Sequence, residues 1–524
     1  MKSSANHTFA QVPRAEIPRS SFNRTFNHKT TFDSGYLIPF FVEEALPGDT
    51  MSLRMTAFAR LATPLHPFMD NMYMETQFFA VPVRLLWQNW EKFNGQQDNP
   101  GDSTDFVTPK MTAPVGGYQY ASISDYFGLP TLIAGFTHVA FWHRAYNLIF
   151  NTWYRDQNLQ TSRPVPLGDG PDAPTDYVLL RRGKRHDYFT SSLPWPQKGP
   201  SVAIPLGTTA PIIGLGVVAN TNTNMPTQTV WETGGGSPAY TAGWTQIADI
   251  RMKATGANGR PAIYADLTAA TAATINSLRQ SFQVQKVFER DARGGTRYTE
   301  LVRAHFGVIS PDARLQRPEY LGGGRMVFHV NPVAQTSASV VDESALGELA
   351  GIGTSAGQHG FSASFTEHGF IIGIVQARAD ISYQQGIHRS WFRKTVYDHY
   401  FPSTANLGEQ AILSRELFAT GAAADTDVFG YQERWAEYKW KPSIITGMFK
   451  STVAAPLDVW HLAQEFGSRP SLGSTFVADD PPFDRVLQVA LYEEQEVLFD
   501  SSFALRWVRC MPMYSIPGLG ELRF

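Results

Sequence analysis

The segment Met72 to Val83, MYMETQFFAVPV, is apolar on both phases of a two-residue repeat. A strand reads this way only when both of its faces are covered, so the chain must build at least one layer on each side of a sheet. Just upstream, Met51, Leu53, Met55, Ala57 and Ala59 alternate with polar residues, as in a strand with one face on a core. Two more strands are expected far downstream, in Phe370 to Tyr383 (FIIGIVQARADISY) and Phe503 to Cys510 (FALRWVRC). Helical spacing appears between them: Val139, Trp142, Tyr146, Ile149, Phe150 and Trp153 share one face. Asp266 to Arg290 predicts a second helix with Ile275, Leu278 and Phe282 in register, and Tyr298 to His305 a short third one. Strands at both ends with helices in long connections predict one β scaffold with large insertions rather than a row of independent domains.

Four stretches follow. Residues 1–32 are polar and basic, with Lys2, Arg14, Arg19, Arg24 and Lys29 against Glu16 alone, and read as an arm without its own core. Residues 33–200 carry the first strands and their inserted helices. Residues 201–265 are rich in Thr, Gly, Ala and Asn around Gly234, Gly235 and Gly236, which suits an exposed, turn-rich excursion; its scattered apolar residues, Trp231 and Trp244 among them, favour a small packed subdomain. Residues 266–524 complete the scaffold.

The 44 basic and 47 acidic side chains make up 17% of the chain, against about 25% in ordinary globular domains. Aromatics reach 13%, with 35 Phe, 20 Tyr and 12 Trp. Few charges and many rings fit a surface that is buried against other copies. A formal net charge of −3 argues against a protein that condenses nucleic acid unaided. The single cysteine, Cys510, excludes an internal disulfide framework. No apolar run is long enough to span a membrane, and the N-terminal residues lack the apolar core of a signal peptide, so a soluble protein made in the cytoplasm is expected.

Catalytic grammar is missing. There is no phosphate loop of the GxxxxGK[ST] type and no HExxH. Gly322, Gly323 and Gly324 read as a turn with positive φ. His138 and His143, five apart on a helix, point to different faces and make poor metal partners. Asp479, Asp480 and Asp484 are a weak candidate for a hard cation, with Pro481 and Pro482 between them favouring a solvated loop. Glu493, Glu494 and Glu496 read as a solvated acidic edge. No cofactor is expected, and the chain does not read as an enzyme.

Two segments suit contact instead. In Phe429 to Phe449, FGYQERWAEYKWKPSIITGMF, large rings alternate with charges. Glu433, Arg434, Trp435, Glu437, Tyr438 and Trp440 are candidates for contact between copies, with single-strand stacking as the competing use. RRGKRHDYF holds the densest basic run, and Arg181, Arg182, Lys184 and Arg185 are the better candidates for facing a polyanion, together with Lys2, Arg14, Arg19, Arg24 and Lys29 of the arm.

Several segments, in order, resemble one family: FARLATPLHPFMDNMYMET (Phe58 to Thr76), LPWPQKGP (Leu193 to Pro200), Gly294 to Gly324, RADISYQQGI (Arg378 to Ile387), the Phe429 to Phe449 stretch, and LDVWHLAQEF (Leu457 to Phe466). They look like the major capsid proteins of microviruses, small single-stranded-DNA bacteriophages, and most like the gokushovirus branch. The resemblance implies an eight-stranded antiparallel jelly roll with long loop insertions. It implies sixty copies in a T=1 icosahedral shell around circular single-stranded DNA, with a small basic protein accompanying the genome. It implies a virion protein assembled in the bacterial cytoplasm. It also implies that residues 201–265 form a protrusion at the three-fold axes, used on a host surface receptor, with Trp231, Gly234, Gly235, Gly236, Tyr240 and Trp244 as its candidates. The rival is a jelly-roll lectin or other carbohydrate-binding protein, in which Trp-rich loops and the three aspartates would form the site.

Overall fold

The computed structural model describes residues 18–202, 212–213, 215–219, 248–252, 264–265, 275–295, 297–309, 316–336, 346–488 and 495–514. The chain divides into two compact units, Met1–Pro196 with Val308–Phe524, and Gln197–Gly307.

The larger unit is a sandwich of two antiparallel sheets. Its strands are β1 (Ser20–Phe32), β2 (Ile38–Ala45), β3 (Thr50–Leu61), β4 (Met72–Pro82), β5 (Glu319–Val327), β6 (His329–Ala334), β7 (Leu349–Ser364), β8 (Gly369–Ala379), β9 (Glu409–Leu413), β10 (Val428–Glu433) and β11 (Val497–Arg509). One sheet runs β1-β11-β3-β7-β6 and the other β5-β4-β8-β2. From β1 to β4 successive strands alternate between the two sheets, as they do again from β7 to β8, which is a jelly-roll arrangement, while β9 and β10 form a separate two-stranded sheet. The fifth strand does not stop at the sheet edge. It ends at Val327, Phe328 is buried at the corner with its N–H on the Met72 carbonyl (2.9 Å), and the chain continues as β6 in the other sheet.

Periodicity and packing agree closely. Met51, Leu53, Met55, Ala57 and Ala59 are all buried, facing Phe503, Leu505 and Trp507 of the neighbouring β11. Every residue of β8 is buried. Ile371, Val375 and Ala377 enter the core between the sheets, while Phe370, Ile372 and Ile374 meet a helical layer built on α1 (Phe141–Ile149). This second covering explains the continuous apolar text of β4 and β8. Tyr146 and Ile149 are buried there as expected; Val139 instead belongs to a short strand, Thr137–Val139, and Trp153 is exposed. Arg144 is sealed beneath the layer in a bidentate pair with Asp172 (2.6 and 2.7 Å), and its Nη1 donates to the Leu86 and Gly168 carbonyls.

Some expectations change. Residues 20–32 of the expected arm are an edge strand paired along its whole length with β11. Gly322, Gly323 and Gly324 lie in β5 at a bulge, not in a turn. A Cβ on Gly323 would lie 2.1 Å from the Thr76 carbonyl oxygen, and one on Gly324 2.3 Å from the His359 ring. These glycines permit close approach rather than chain reversal. His138 and His143 sit on different elements and face each other, with ring centroids 5.3 Å apart. His138 meets Tyr118 and His143 meets Ser124, and burial pushes His143 down to about 3, leaving it neutral.

In the smaller unit, α2 (Ile275–Gly294) and α3 (Tyr298–Phe306) are the two expected helices. His305 bonds Asp291 between them (2.6 Å), and Gly307 ends α3 in the left-handed region. Ile275 and Phe282 are exposed, so the predicted register is a face that this unit leaves uncovered. Leu215–Ala219 pairs antiparallel with Ala248–Met252 inside the stretch expected to be an excursion.

Glu496 is no solvated edge. It precedes β11, partly buried, and accepts a hydrogen bond from the Ser34 N–H (2.6 Å). Burial pushes its carboxyl up to about 7, against the Ser34 hydrogen bonds and with help from the charges of Asp33 and Asp484. The folded state thus holds this proton to a higher pH than the unfolded chain, whose glutamates release it near 4.5. The stabilisation from this site is complete below the unfolded value and disappears as pH rises through 7. Glu496→Gln should flatten the stability profile between pH 5 and 8 by up to about 1.4 kcal/mol per pH unit. Denaturant titrations across that range check this, and an unchanged slope would refute it.

Candidate assembly surface

The stretch from Phe429 to Phe449 is anchored rather than free. It begins in β10, which pairs with β9. Trp435 follows with φ 71°, a conformation that costs a non-glycine residue about 1–2 kcal/mol. Packing holds it there. The indole is 4% exposed, its Nε1 donates to the Thr404 carbonyl (2.9 Å), and Tyr400 meets it edge-on. The Arg434 guanidinium lies 4.4 Å from the ring centroid.

Glu437, in the single turn Ala436–Lys439, is buried and accepts from Arg393 (3.2 Å) and Gln410 (2.7 Å). Glu416 nearby accepts from Arg389, Tyr188 and the Leu413 N–H, each at 2.9 Å. Burial raises its pKa, against the pull of Arg389. Both carboxylates are thus structural. Glu433 pairs at the surface with Lys439, an interaction of little energy. Of the six contact candidates, Trp435 and Glu437 are therefore internal, and Tyr438 and Trp440 reach the surface. Sequence reasoning missed Arg393, Gln410 and Glu416, which are distant in the chain and carry no local pattern.

Tyr438 and Trp440 border a cavity of about 610 Å³, with Trp391, Ile444, Arg389 and Lys441 also in its wall. Of the residues in its wall, Trp391 is 84% exposed and Ile444 71%; Tyr397, whose carbonyl accepts from Arg434, is 75% exposed. Large exposed rings of this kind suit a contact surface.

The basic run is spent inside the subunit. Arg181 pairs with Asp480 (2.6 Å) over the Tyr36 ring, and Arg182 pairs with Glu75. Arg185 bridges Asp380 (2.8 Å) and Glu75 (3.3 Å). Lys184 donates to Gln464 (2.7 Å) and lies over Phe476, and burial pushes it down to about 8. Burial also raises Glu75, but Arg182, Arg378 and Arg185 together outweigh it and hold the carboxylate below its ordinary range. Arg378 takes Asp479 as well (3.1 Å), so two of the three metal candidates are committed to arginines. Among the described residues no group of His, Cys, Asp or Glu is placed to hold a metal ion. Arg24 pairs with Glu43, Lys29 with Asp500, and Arg19 donates to the Gly48 carbonyl. Lys2 and Arg14 lie outside the described residues, as do Trp231, Gly234, Gly235, Gly236, Tyr240 and Trp244.

A jelly roll with long loops and an apolar rim is the architecture of shell-building proteins. Residues 10–519 match the family model described as capsid protein (F protein), and the chain belongs to that family. It is 48% identical to capsid protein VP1 of Bdellovibrio phage phiMH2K, covering 98% of this chain and 97% of that one. It is 42% identical to capsid protein VP1 of Chlamydia phage 1 and 34% identical to that of Spiroplasma virus 4, each over 98% of both chains. These relatives are structural capsid proteins rather than enzymes, and the chain is a microvirus capsid protein. No helix among the described residues is long and apolar enough to cross a membrane.

Trp435→Ala should cost about 3–5 kcal/mol, because it opens a cavity under a strained turn and leaves the Thr404 carbonyl without its donor. Chemical denaturation of the isolated subunit checks this; wild-type stability would mean that the indole is not load-carrying in the subunit.

Proposed function

We propose that this chain assembles, as sixty copies, into a T=1 icosahedral shell that encloses circular single-stranded DNA. The observation that carries the reading is the exposed aromatic rim around Trp391, Tyr397, Tyr438 and Trp440 on a jelly-roll subunit of this family. Its burial between copies supplies the driving force, and charge pairs at the margins fix the register. The membership in a microvirus capsid family supports this reading, as does the likeness of the sequence to the gokushovirus branch. With a net charge of −3 the chain does not neutralise a genome alone, which favours a small basic protein as a companion of the DNA. The shell is then a virion component, made and assembled in the bacterial cytoplasm.

Native mass measurement and electron microscopy of the purified protein should show closed shells of about sixty subunits, in keeping with closed point-group symmetry. Monomers under every condition tested would overturn the reading.

In the same reading, the 201–265 stretch serves attachment to a host surface receptor. Removing residues 205–262 should leave shells intact and abolish adsorption to host cells. Loss of the shells themselves would make the stretch structural instead.

A further inference from the structure

The outward face of the five-stranded sheet carries a charge pattern unlike the rest of the subunit. On β3 the buried Met51-to-Ala59 phase leaves Arg54, Phe58 and Arg60 outward. Arg506 stands opposite Ser52 on β11, on the same face. None of these three arginines makes an ion pair with a described residue, whereas Arg181, Arg182, Arg185, Arg378, Arg389 and Arg393 all do. The single carboxylate at the outward positions of these strands is Asp500, which Lys29 neutralises at 2.7 Å; Asp125, from a neighbouring loop, borders the same hollow as Arg60 and Phe58. Between the arginines lie small polar groups: Ser52, Thr56 and Ser502, with Gln358 across from Thr56. At about 3.4 Å per residue, Arg60 to the level of Arg506 spans roughly 27 Å.

We propose that this sheet face is a phosphate-binding surface for single-stranded DNA, with Arg54, Arg60 and Arg506 as its cations. The inference rests on the reading that the shell encloses DNA, and it makes this face part of the inner wall. Charge complementarity selects the occupant. Three guanidiniums without an ion pair among the described residues, Arg506 donating only to the Ser21 hydroxyl (3.1 Å), with hydroxyls and amides between them, suit the repeating oxygens of a phosphodiester backbone, which such groups hold without reading sequence. Exposed Phe58 supplies one ring on which a base can stack. A protein partner would instead call for a desolvated aromatic centre, which in this subunit lies at the loop rim and not on the sheet.

The test compares the full-length protein with its Arg54→Gln/Arg60→Gln/Arg506→Gln variant, using an oligothymidylate probe. The slope of log affinity against log salt should fall in magnitude by about 2, since each phosphate contact on a single strand contributes about 0.7. Lysine at all three positions should restore it. Should the triple variant fail to fold, Arg54→Gln alone should lower the slope by about 0.7. An unchanged slope in a folded variant overturns this inference while the wild type still binds. Wild-type protein that neither binds oligothymidylate nor packages DNA overturns the enclosing reading itself. Salt-dependent binding of poly-glutamate without binding of the oligonucleotide makes the face a site for an acidic protein and also overturns the inference.

Discussion

The burial of β8 on both faces is the constraint on which the rest of the subunit depends. Ile371, Val375 and Ala377 close the core between the sheets, and Phe370, Ile372 and Ile374 carry the α1 layer. One strand thereby joins sandwich and insertion into a single apolar body. The layer can then hold Arg144 dry, because Asp172 and two carbonyls accept from it in place of water. Gly373, tight against the Phe41 and Phe78 side chains, is where the central strand is thinnest; a Cβ there would approach both at 2.8 Å. The long loops that leave this body gather a smaller core of their own around Tyr188, Phe189, Ile412, Leu417 and Phe429, and rings such as Trp391 and Tyr397 stay outside it.

Charge is used sparingly, and mostly inward. Glu75 gathers three guanidiniums, Asp479 is held by Arg378, and Glu437 by Arg393. Removing either member of such a pair strands the other in low dielectric, so these networks fix the loops more by the penalty of breaking them than by net gain. Arg54, Arg60 and Arg506 differ because they are exposed on the sheet without an ion pair among the described residues, Arg506 donating to the Ser21 hydroxyl (3.1 Å).

What was legible in the sequence was whatever local period records. The alternation from Met51 to Ala59, the two-phase text of β4 and β8, and the α3 span all reappear in the fold. The jelly roll itself came from the family resemblance, since period alone does not order strands between sheets. The basic run 181–185 misleads as a surface because its partners, Glu75, Asp380 and Asp480, arrive from other parts of the chain. His138 and His143 mislead in the opposite way: taken as one helix they diverge, yet a strand-to-helix change after Val139 turns them together. Within Gln432 to Tyr438, the alternation of rings and charges does not record that a left-handed Trp435 sends Glu433 to solvent and Glu437 inside.

The division between loop rim and sheet face bears on how one chain can serve two partners in the proposed shell. Apolar association is nearly indifferent to salt, whereas phosphate contact weakens steeply with it. Placing aromatics such as Trp391 and Trp440 at the rim and unpaired arginines on the sheet lets the two be tuned apart. A shell held by the rim would then persist at ionic strengths that loosen its genome. The opposite arrangement, with unpaired arginines at the contacts between copies, would tie assembly to salt and leave a subunit of net charge −3 with no surface of its own for a polyanion.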